Sequence, residues 1–86
     1  MTPQQKTIKK QLADCTSIDR ITCKANGSVE ARRSYFYRMG GTAEKFAANI
    51  AEIVAMCGFP VNVTSRDEWA QWPKTSYFCA VITPKA

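Results

Sequence analysis

The chain has 86 residues, 45% of them hydrophobic, and a net charge of +5 with no histidine. That length is one domain with one core, the composition is globular and not disordered, and no apolar run is long enough to span a membrane. The charge is unevenly spread: residues 1–45 hold nine Lys/Arg against four Asp/Glu, whereas residues 46–86 hold three of each.

The opening Met1-Thr2-Pro3-Gln4-Gln5 has no apolar h-region of the secretory kind, so a cytoplasmic location is expected. Cys15, Cys23, Cys57 and Cys79 include no C-x-x-C pair, which argues against zinc. Reduced thiols are the expectation, and two disulfides are the alternative. No cofactor is implied.

Pro3 suits a first helical turn with Thr2 as N-cap. Ile8, Leu12 and Cys15 recur at i, i+4, i+7, a thin stripe that predicts a short amphipathic helix over residues 3–14 packed on the domain edge or on a partner. Residues 18–24 and 28–38 read as two strands around Ala25-Asn26-Gly27. A two-residue Asn-Gly turn would set Cys23 against Glu30. A three-residue loop sets Cys23 against Val29 and Ile21 against Ala31, with Gly27 at the left-handed bulge position. Because a one-residue slip flips every side chain, the pattern selects the three-residue loop.

That register sorts the two faces. Ile21, Cys23, Val29, Ala31, Arg33, Tyr35 and Tyr37 share one. Arg20, Thr22, Lys24, Glu30, Arg32, Ser34, Phe36 and Arg38 share the other. Thr42 is a good N-cap for a second helix. Phe46, Ile50, Ile53, Val54 and Cys57 form the strongest helical periodicity in the chain, predicting a helix over 43–57 ended by Gly58 and Pro60. Residues 60–65 alternate as a half-buried strand. Residues 66–75 read as a loop or bent strand end, and 76–83 as a central strand covered on both sides. The expected fold is α+β in the order α-β-β-α-β-β, a four-stranded, mostly antiparallel sheet with two helices.

Three candidate sites stand out. Arg20, Lys24, Arg32, Phe36 and Arg38 make a basic strand face whose guanidinium forks suit phosphate and whose aromatic ring can stack on a base; alternatively the first helix covers this face. Gly40-Gly41-Thr42 at a helix start is either an anion cradle or a plain turn. Trp69 and Trp72 lie in a polar stretch, where an aromatic is an interface anchor or a lid on the core, and Trp72 is the expected anchor. Without histidine or a recognisable carboxylate pair, Cys15 and Ser34 lack an activating base, and catalysis is not expected.

The segments Arg-Arg-Ser-Tyr-Phe-Tyr-Arg (32–38), Gly-Gly-Thr-Ala-Glu-Lys-Phe (40–46) and Trp-Pro-Lys-Thr-Ser-Tyr-Phe (72–78) resemble small orphan proteins of phages and prophages, among them the anti-CRISPR inhibitors. The resemblance implies a compact α+β inhibitor acting in the host cytoplasm on a protein or ribonucleoprotein complex. Inhibitors that mimic DNA are acidic. A basic one is expected to contact guide RNA, target DNA or an acidic surface of the nuclease complex. The alternatives are a stand-alone nucleic-acid-binding module and a phage structural or accessory protein.

Overall fold

The computed structural model describes residues 1–14, 18–35, 42–70 and 75–85. The first helix, α1, is Pro3–Ala13. Thr2 and Gln5 close a reciprocal capping box: the Gln5 amide donates to Thr2 Oγ1 at 3.1 Å and the Thr2 amide to Gln5 Oε1 at 2.9 Å, which satisfies two of the donors every helix start leaves open. Asp14 is the C-cap, one residue from the predicted end. Ile8 and Leu12 are fully buried, as their stripe required.

Strands β1 (Arg20–Cys23) and β2 (Val29–Tyr35) pair antiparallel with Ile21 opposite Ala31 and Cys23 opposite Val29. This is the register of the three-residue loop. Lys24 N–H donates to Ser28 O at 2.9 Å, and Gly27 N–H donates back to Lys24 O at 3.1 Å. Gly27 has φ +93°, the left-handed region in which a Cβ is penalised. Asn26 Oδ1 accepts from both the amide (3.0 Å) and the hydroxyl (2.7 Å) of Ser28. β1 is shorter than predicted, although Asp19 N–H still reaches Arg32 O at 2.9 Å.

The second helix, α2, runs Ala43–Val54 and tightens into one 3-10 turn over Ala55–Cys57. Thr42 Oγ1 accepts from Lys45 N–H at 3.2 Å, and Gly58 ends the element at φ +88°. Strand β3 is Val61–Ala70 and β4 is Thr75–Pro84. Residues 66–70 are therefore regular strand, where the sequence read a loop or a bent strand end. The ladder from Val61↔Pro84 to Ala70↔Thr75 is unbroken, and two of the charges in this stretch, Arg66 and Glu68, find partners across the sheet.

The sheet order is β1-β2-β4-β3, antiparallel throughout. Both helices lie on one face: Ile8 and Leu12 of α1 and Phe46, Ile50 and Val54 of α2 join Val29, Ala31, Ala80 and Ile82 in one core. α1 thus leaves the basic face uncovered, in contrast to the alternative in which it packs there. β4 is central, as expected, but helices cover one side of it. Among the described residues no helix is long and apolar enough to cross a membrane.

Candidate functional site

Strand parity sends the other side chains to the helix-free face, and the register stacks them in rows. Arg20, Arg32, Cys79 and Arg66 form one row across the four strands. Thr22, Glu30, Val81 and Thr64 form the next, and Tyr77 and Glu68 continue the face beyond the arginines. Two residue pairs of reversed order, Glu30-x-Arg32 on β2 and Arg66-x-Glu68 on β3, therefore meet over β4.

The four charges interlock. Arg32 Nε donates to Glu68 Oε1 at 2.7 Å, and Arg32 Nη2 donates to Glu30 Oε1 and, at 3.4 Å, to Glu68 Oε2. Arg66 Nη2 donates to Glu68 Oε2 at 2.9 Å and to Glu30 Oε1 at 3.3 Å, and its Nε reaches Glu68 Oε2 at 3.2 Å. Arg32 Nη1 also lies 3.5 Å from Thr22 Oγ1. Lys24 Nζ stands 3.8 Å from Glu30 Oε1.

Burial grades through the cluster. The Glu30 side chain is 8% exposed, Arg32 17%, Glu68 26%, and Arg66 and Lys24 nearly half. A carboxylate as buried as Glu30 is tolerable because several cations surround it. The Arg32 guanidinium, helped by Arg66, holds the Glu68 carboxyl below its usual range. Arg32 is in turn held above its own, chiefly by its hydrogen bond to Glu68. Cys79, fully buried in the same row, has its thiol pushed up by burial, which makes it a poor nucleophile.

The predicted face residues Arg20, Lys24 and Arg32 do share this surface. They differ in availability. Arg32 has its fork committed to two carboxylates, so it organises the face more than it offers a free ligand. Arg20 is exposed and has no ion pair among the described residues, while Lys24 and Arg66 each keep much of their charge in water. Phe36, Arg38 and Trp72 lie outside the described residues, as do Cys15, Tyr37, Gly40 and Gly41 and the side chains of Ser34, Tyr35 and Trp69.

The sequence reading missed Arg66 and Glu68, because it placed them in a loop or bent strand end, and gave Glu30 no role. The available signal was the pair of complementary dipeptides, Glu-x-Arg and Arg-x-Glu, each putting opposite charges on one strand face. Cys23, Cys57 and Cys79 are free thiols. Among the described residues no three His, Cys, Asp or Glu side chains gather as a metal site would require. Compared with known proteins, the chain matches no family model, no curated protein and no solved structure.

Proposed function

We propose that this is a non-enzymatic docking protein that acts as a phage-type, anti-CRISPR-like inhibitor, seating its helix-free sheet face on a nucleoprotein complex in the host cytoplasm. The observation that carries this reading is the construction of that face. Arg32, Arg66, Glu30 and Glu68 are fixed by one another, while Arg20 and Lys24 stand beside them as the surplus positive charge. Side chains already held in place lose little entropy on binding, which favours affinity. The mixed signs favour a partner that offers phosphates beside protein groups, since alternating charge gives specificity more than bulk attraction.

A stand-alone nucleic-acid module is the second reading, and the exposed cations Arg20 and Lys24 favour it. The two readings separate by salt dependence. A module that neutralises phosphates binds naked RNA or DNA with a steep dependence on salt, whereas the inhibitor binds stoichiometrically to a protein-containing complex and weakly to free nucleic acid. The test is capture from bacterial lysate, with and without nuclease, followed by identification of the captured complex and fluorescence anisotropy on free oligonucleotides. The expected result is a defined complex that is lost with Arg20→Glu/Lys24→Glu. Tight binding to free oligonucleotides moves the assignment to the second reading, and capture unaffected by the double substitution overturns the role of this face.

A further inference from the structure

A second surface, separate from the charged face, lies along the outer edge of β3. The sheet order leaves β3 at an edge, so one side of its ten-residue backbone has no partner strand among the described residues. Natural edges are blunted by lysine, proline, bulges or brevity. β3 has none of these: Val61–Ala70 contains no Lys, Pro or Gly, and its ladder to β4 runs without a bulge. Charge guards its second half, at Arg66, Asp67 and Glu68. The first half, Val61-Asn62-Val63-Thr64-Ser65, is unguarded.

Beside that half runs a shallow apolar groove between α2 and β3. Two adjoining concavities share Ala51 and Val63. Ala55, Phe59 and Val61 line one end, and Ala47 and Ala48 the other, with Glu44 at the rim. Small side chains on the near flank of α2 let another chain approach closely. An incoming strand would place every second side chain towards this groove.

We propose that a second copy of this chain occupies the edge, pairing β3 with β3 antiparallel about a two-fold axis through Val63. The axis must stand perpendicular to the sheet for two identical edges to pair antiparallel, which puts both helix layers on one side. The register follows from charge. About Val63, Val63 meets itself, Asn62 meets Thr64, and Val61 meets Ser65, so every opposed pair is uncharged. An axis at Asp67 stacks that carboxylate on its own copy, and an axis at Ser65 brings Asp67 to Val63, beside Glu44 of the groove. The net charge of +5 is kept off the contact, since no cation lies within Val61–Ser65.

The size of the contact sets its strength. Five overlapping residues span roughly 17 Å, and the molecule is 20–23 Å across its shorter axes. The footprint is about 350 Å² per protomer and about 700 Å² in all, the range of a weak, reversible dimer. The assembly is an eight-stranded sheet in which the two charged faces lie on the same side. This proposal stands on the β3 edge alone and is independent of what the charged face binds.

The test is sedimentation equilibrium of the full chain up to millimolar concentration, with Thr64→Lys and Ala51→Arg beside the wild type. Thr64 is exposed, so its substitution leaves the fold intact by circular dichroism even where Ala51→Arg does not. The expected result is a monomer–dimer equilibrium that Thr64→Lys weakens by about tenfold or more. A chain that stays monomeric throughout overturns the proposal and leaves the edge to a strand of another protein. A dimer indifferent to Thr64→Lys places the contact elsewhere and overturns it equally.

Discussion

Arg32 is bound to a carboxylate 36 residues away in sequence, Glu68, and to Glu30 on its own strand. Removing its charge leaves Glu30 nearly buried with weaker compensation, and an uncompensated buried charge is costly. Arg32→Ala is therefore expected to lose about 3 kcal/mol of stability in urea unfolding, whereas Arg20→Glu, on an exposed side chain, stays within about 0.5 kcal/mol. Equal costs for the two would mean that the network is no more than decoration. The same cluster sets an acid limit. Glu68 has its folded pKa depressed by Arg32 and Arg66, so its contribution is complete above the ordinary glutamate range. That contribution is lost as pH falls through the depressed value. Wild-type urea midpoints should therefore drop more steeply on acidification than those of Glu68→Gln, and parallel curves would show the pair to be inert. Parity alone had put Arg20, Lys24 and Arg32 on one face, because alternation is a local property of the chain. It could not reveal that Glu68 also takes Arg32, because that partner arrives from another strand.

At the scale of elements, what the sequence shows depends on whether an element is specified by its own residues. α2 is: its apolar repeat, Thr42 cap and left-handed Gly58 mark both ends within the chain segment itself. Ile50, 1% exposed at the centre of its buried face, should cost roughly 2–5 kcal/mol as Ile50→Ala; a near-zero shift in urea midpoint would reject this packing. The β1–β2 hairpin is likewise local, since Asn26 and Gly27 fix its loop and the loop fixes its register. β3 is not. Arg66, Asp67 and Glu68 have the composition of a loop, and only the neighbouring strands make them a ladder. Gln5 escaped notice for the same reason. A polar residue beside the α1 stripe reads as surface, yet it is 2% exposed and its Nε2 donates to Lys24 O and Ser28 O. It ties the helix to the hairpin.

The whole molecule is a two-layer body with opposite surfaces: helices and core on one side of the sheet, an ion-pair lattice on the other. Cys79 reports on that lattice. It is fully buried in the row between Arg32 and Arg66, while Cys23 and Cys57 are half-buried. Thiol labelling should reach Cys79 only through global unfolding, at a rate that tracks the unfolding free energy in denaturant, while the other two react through smaller openings. Early labelling of Cys79 in the native protein would show that the charged cover opens locally.

The chain order also divides this fold into two contiguous halves, α1 with the β1–β2 hairpin and α2 with the β3–β4 hairpin. Each hairpin closes through neighbours in sequence, so each half assembles from short-range contacts. The two sheets then join along one seam, β2 against β4. The Arg32–Glu68 and Arg66–Glu30 bonds reach over that seam from one half to the other, so they form late, when the halves meet. The full charged network exists in neither half alone. Their union completes it: each hairpin alone holds one arginine and one carboxylate of the network, Arg32 with Glu30 and Arg66 with Glu68.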